Sequence, residues 1–172
     1  MSPNDQPPVG ERADLLQSLA RHRHFLRYTV RDLPDEQARR APTVSELTLG
    51  GLIKHVAITE RQWIDFILDG PAVLAPDEAS WAAHAEGFTM RETETLAELL
   101  DTYQDVARRT DELVRTLPDL DASQPLPEAP WFEPGARWSA RRVLLHVIAE
   151  TAQHAGHADI VREAIDGSKT MG

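Results

Sequence analysis

Three of the chain's seven histidines fall in one stretch, HVIAETAQHAGHAD (146–159), with a glutamate between them. Imidazole nitrogens and carboxylate oxygens are the donors that zinc-type ions take, and imidazole also moves protons near neutral pH. The stretch is thus a metal site, a catalytic base, or a helix that happens to carry histidines. On a helix turning roughly 100° per residue, with His146 at zero, His157 falls at roughly 20°, Glu150 at roughly 40° and His154 at roughly 80°. The apolar residues Val143, Val147, Val161 and Ile165, with Thr151, centre near roughly 100° by the same geometry. Glu150 and His154 therefore border the core-facing side, while His146 and His157 lie farther out on its flank.

Glu150 and His154 stand at i and i+4, so one oxygen and one nitrogen reach toward a common point. A catalytic zinc-type site holds three protein ligands and keeps one position open. In helical bundles such ligands come from facing helices. The segment GGLIKHVAITERQW (50–63) offers a third donor, His55, which flanks that segment's apolar stripe. Glu60, five residues on, points elsewhere on the same helix. A lone histidine on a helix is more often a surface or hydrogen-bonded residue, and Glu-x-x-x-His is a common surface pair. His22, His24 and His84 are read as surface or satisfied residues, and Arg21-His22-Arg23-His24 as a solvated face. Gly50-Gly51 is read as a packing feature at a helix entry.

Four elements must position these groups. Leu15, Leu19, Leu26, Val30 and Leu33 recur at helical spacing over 11–32, and Pro34 ends that run. A short polar turn or helix follows. A second helix starts at Thr48 or Ser45, carries Leu52, Ile53, Val56, Trp63, Ile64 and Ile67 inward, and stops at Asp69-Gly70-Pro71. Residues 71–92 read as loop with one short helix around Trp81. A third helix fits 93–117, with Leu96, Leu99, Leu100, Tyr103, Val106, Leu113 and Val114 as its stripe. Five prolines between 118 and 137 exclude helix and central strand there. Trp131, Phe132 and Trp138 in and beside that segment should fold it over one end of the molecule. A fourth helix begins at Ser139, runs to about 165 and stops at Gly167. No segment alternates convincingly as a strand. The fold class predicted is all-α, a four-helix bundle with long loops. Residues 1–11 and 168–172 are tails around one domain spanning 12–167. Two long connections leave the up-down order of the helices open.

Composition narrows the function. The chain has 172 residues, a formal net charge of −10 and no cysteine. The acidic balance argues against non-specific nucleic-acid binding, which needs a basic footprint. No apolar run approaches the roughly 20 residues that span a bilayer, so no membrane partner is expected. The first residues lack a secretory apolar region, which makes the cytoplasm the expected compartment. Without cysteine, a bound metal must be held by His, Asp, Glu, backbone or water, and any thiol chemistry must use a thiol brought in from outside.

TLGGLIKHVAITERQW (48–63) and LLHVIAETAQHAGHADIVREAIDG (144–167) resemble the paired signatures of the DinB superfamily, above all its actinobacterial DinB-like branch. The resemblance covers nearly the whole chain. It implies a four-helix bundle with a divalent metal at its centre, zinc or nickel, as in mycothiol-dependent maleylpyruvate isomerases and bacillithiol S-transferases. Their pattern takes one histidine from the second helix and two ligands four residues apart on the last. Carried over, these are His55, Glu150 and His154. His146, His157 and Asp159 belong to the branch signature and match no known ligand; they are candidates for outer partners or pocket lining. The expected function is a metal-dependent S-transferase or isomerase using a small thiol such as mycothiol and a small electrophile. A non-catalytic metal-binding or stress-response module and a metal-dependent hydrolase are the alternatives. A homodimer through a helix face is compatible with the composition.

Overall fold

Thr48, Thr95 and Ser139 start three long helices by the same chemistry: each hydroxyl accepts a hydrogen bond from a first-turn backbone N–H, at Gly51, Glu98 and Arg142 respectively. At Thr95 the bond is reciprocal, because the Glu98 carboxylate returns to the Thr95 N–H. The computed structural model describes residues 8–74 and 86–170. In chain order its helices are α1 (Glu11–Tyr28), the short α2 (Asp35–Ala38), α3 (Leu49–Asp69), α4 (Leu96–Thr116) and α5 (Ala140–Asp166). A single 3-10 turn, Pro71–Leu74, follows α3. Gly70 at φ 86° and Gly167 at φ 79° end α3 and α5 in backbone conformations that side chains disfavour. The expected Trp81 helix and His84 lie outside the described residues.

The four long helices form the bundle, and the core reveals their directions. Leu15 and Leu19 of α1 share one apolar cluster with Trp63, Ile64 and Phe66 of α3, Val114 of α4, and Val143, Leu144 and Val147 of α5. Leu26 of α1 joins a second cluster with Leu49, Leu52, Ile53 and Val56 of α3, Leu96, Leu99 and Tyr103 of α4, and Ala155, Ala158 and Val161 of α5. α1 and α5 thus run from the first cluster to the second, and α3 and α4 run back. The order is up-down-down-up. α1 packs on α5 and α4, and α3 packs on α4 and α5. Two neighbouring pairs, α1 with α5 and α3 with α4, are therefore parallel.

Between the two clusters lies a polar layer. Arg23 of α1, Glu60 of α3, Thr110 of α4 and Thr151 of α5 are all buried. Glu60 accepts from Arg23 Nε at 3.2 Å and from Thr110 Oγ1 at 2.6 Å, and Arg23 Nη1 also donates to Asp111 at 2.7 Å. The Arg21–His24 run is a solvated face only in part: Arg21 and His24 are exposed, but Arg23 is 6% exposed. Position 23 sits one turn from both Leu19 and Leu26, so helical phase carries it inward whatever its charge. Glu60 likewise points to the core.

The proline-rich segment differs from expectation in one respect. Ser123–Pro125 (β1) and Arg137–Ser139 (β2) pair antiparallel, with Gln124 opposite Trp138. Three-residue strands carry too little alternation to be legible, and a ribbon made only of edges tolerates Pro125. Phe132 and Trp138 pack on the cluster at that end of the bundle, as expected, whereas Trp131 is 56% exposed.

Candidate metal centre

His55 sits on the second turn of α3, where Gly50 and Gly51 let another part of the chain come close. A Cβ on Gly51 would fall 1.9 Å from the Phe88 carbonyl oxygen, and one on Gly50 would strike the Met90 side chain. This close approach seats the Phe88 ring on the His55 ring, stacked at 3.7 Å between centroids with 17° between planes. His55 is buried, and its Nε2 lies 3.4 Å from Thr59 Oγ1 on the next turn. Its ring meets the His154 ring of α5 edge to face, 4.8 Å away at 76°.

On α5, Glu150 and His154 stand one turn apart, with Glu150 Oε2 3.6 Å from His154 Nε2. One donor atom each from His55, Glu150 and His154 lies within 4.8 Å of the others. Among the described residues this is the group of His, Asp and Glu side chains that converges so. The neighbouring His154 ring holds the Glu150 carboxyl below its ordinary range against a desolvation that would raise it, and His146 and His55 act the same way. The site is graded in exposure: His55 is buried, His154 nearly so, and Glu150 half-buried.

The remaining signature residues separate. His157 Nδ1 lies 3.4 Å from His154 Nδ1, so it touches a member of the cluster from outside. His146 Nε2 is 3.9 Å from Glu150 Oε1, and its ring meets the edges of Trp63 and Trp138, which stack on each other at 4.8 Å. Burial there pushes the His146 imidazole below its ordinary pKa, partly offset by Glu150. Asp159 is turned away: its carboxylate accepts from the Thr170 N–H at 2.8 Å and fixes the chain beyond α5. Sequence reasoning missed Phe88 and the Trp63–Trp138 pair. Trp63 was legible as an inward residue of its helix but not as the partner of Trp138; Phe88 lies in a segment with no periodicity to place it.

Two imidazoles and one carboxylate are a donor set for zinc and its neighbours. A tetrahedral ion with bonds of about 2.1 Å sets its donor atoms roughly 3.4 Å apart. The observed donor atoms, within 4.8 Å of one another, lie near that spacing, so the residues fit a divalent ion.

A model of mycothiol S-transferases matches residues 14–167. The chain belongs to this DinB-like family. Two solved structures share its fold. One is a conserved protein of Enterococcus faecalis, 16% identical, covering 94% of this chain and 100% of that one, with a TM-score of 0.63. The other is YfiT from Bacillus subtilis, described as a probable metal-dependent hydrolase with an unusual four-helix bundle topology. It is 18% identical and covers 98% of this chain and 95% of that one, with a TM-score of 0.68. No curated protein matches the chain. Among the described residues no helix is long and apolar enough to cross a membrane.

Proposed function

We propose that the protein is a metal-dependent enzyme that transfers a small thiol of the mycothiol type to a small electrophile, with His55, Glu150 and His154 as the metal ligands. The observation that carries this reading is the convergence of those three donors from α3 and α5 in a chain of the mycothiol S-transferase family. A divalent ion held there supplies the charge that favours the thiolate form of an incoming thiol. The chain's own residues do the rest. Phe88 and Thr59 fix the His55 ring, and the two-residue-type donor set leaves part of the ion's charge uncompensated. Glu150 and His146, on the more open side of the cluster, border the space from which reactants arrive. The chain contains no cysteine, so the sulfur nucleophile comes from the cofactor thiol.

Metal content of the purified protein and of His154→Ala tests the ligands: stoichiometric metal in the first and its loss in the second is expected, and equal metal in both would sink the assignment. Metal-loaded protein mixed with mycothiol and a haloaromatic electrophile tests the transfer, with a thiol adduct above the protein-free background as the expected result. The likeness in fold to a protein described as a probable metal-dependent hydrolase favours a second reading, hydrolysis by an activated water at the same centre. Turnover of an ester or amide with no thiol present would select it.

A further inference from the structure

On the other side of the bundle, α1 and α4 leave a groove of about 470 Å³ between them. Arg23 and Arg27 of α1 and Arg31 of the turn that follows line it, and α4 contributes Tyr103, Gln104 and Asp111. Like charges this close repel unless something offsets them, and Arg23 and Arg27 stand one helical turn apart. Arg23 is offset completely, because its guanidinium is engaged by Glu60 and Asp111. Arg27 and Arg31 are not. Arg27 meets only the Gln104 amide oxygen, and Arg31 meets the Tyr28 and Lys169 carbonyls at 3.0 and 3.4 Å, with its guanidinium 3.8 Å over the Tyr28 ring. Among the described residues neither has a carboxylate partner. The Tyr28 stack and the carbonyls hold the Arg31 plane in place, so its outer N–H edge is preorganised. Two such groups in a concave site, on a chain of net charge −10, stand out as a local positive field.

We propose that this groove binds a small organic oxyanion, a phosphate ester or a carboxylate, between Arg27 and Arg31. Planar guanidiniums match both groups with paired N–H donors. The volume exceeds what a free inorganic ion fills, which leaves room for an organic body over Tyr103 and Ala107. α1 contributes nothing to the His55–Glu150–His154 cluster, so the two sites are separable by mutation.

Calorimetric titration of the full-length, metal-loaded protein at low ionic strength reads this directly, with glycerol phosphate and succinate as probes and glycerol as the uncharged control. Saturable binding of one oxyanion probe and none of glycerol is expected, and the preferred probe identifies phosphate or carboxylate. Arg27→Gln and Arg31→Gln, both of exposed or half-exposed side chains, should each weaken binding about tenfold, the loss of one charge-assisted contact. His154→Ala should leave it unchanged. Absence of saturable binding by either probe overturns the proposal, as does binding indifferent to both arginine variants. Binding lost in His154→Ala would assign the anion to the metal cluster instead, and the circular dichroism of each variant shows whether its helices are intact.

Discussion

Each residue of the cluster is held by a neighbour of a different kind, and that makes the contributions separable. His55 is fixed by a ring stacked on its face, His154 by a carboxylate on one side and His157 on the other, and Glu150 by two imidazoles. Removing the Phe88 ring takes away the stacked contact on one face of His55. Phe88→Ala should therefore lower metal affinity about tenfold, the usual effect of removing an outer partner, while metal still binds. Competition with a chromophoric chelator measures it, and unchanged affinity would reduce Phe88 to a cover. Glu150 and His154 were legible in the sequence because helical phase put both at the core's border. Asp159 shared the same motif but not the same phase, and its carboxylate serves the chain end instead.

At the level of elements, the entry to α3 couples packing to the site. Gly51 admits the Phe88 carbonyl where any side chain would collide. Gly51→Ala forces that segment outward, costs about 1–3 kcal/mol of stability as overpacking does, and should weaken metal binding with it. Urea denaturation alongside the chelator titration checks both, and loss of stability with affinity intact would uncouple them. The same segment is tied to α3 by Lys54, whose ammonium meets Glu94 at 2.8 Å and the Thr89 carbonyl at 3.0 Å. Desolvation alone would raise the Glu94 carboxyl, but Lys54 and the Arg91 N–H outweigh it and hold it below 4.5. A depressed folded-state pKa stabilises above the unfolded value and loses that contribution as pH falls through the folded one. Glu94→Gln should melt lower than the natural protein near neutrality, and the gap should close below pH 4.5. A gap constant across that range would contradict the pairing. Helix starts at Thr48 and Ser139 and the stop at Gly167 were readable because capping is local chemistry. The β ribbon was not, since its central pair, Gln124 and Trp138, lies fourteen residues apart in the chain.

For the whole molecule, the polar layer and the helix order are the features that no single segment discloses. Arg23 and Glu60 each occupy an inward slot of an apolar stripe, and the error of reading Arg23 as solvated with its neighbours came from weighing charges one at a time. Opposite charges in equivalent slots of two stripes are a legible signal once the stripes are compared. Glu60→Ala leaves the buried Arg23 guanidinium with Asp111 alone and should cost about 3–5 kcal/mol, seen as a lower thermal midpoint. Replacing both, as Arg23→Met with Glu60→Leu, should recover most of that loss; failure to recover would mean the pair does more than satisfy itself. The up-down-down-up order stayed hidden because residues 71–92 show no period from which a crossing could be inferred.

That order also sets a sequence of events in time. Antiparallel neighbours joined by a short turn find each other quickly, whereas α5 must reach α3 past an intervening helix and two long connections before His55 meets Glu150 and His154. The proposed ligand set is incomplete in the nascent chain until its last helix has emerged and docked. Metal capture is therefore a late reporter of folding: in refolding experiments, helix formation should precede the appearance of tight metal binding.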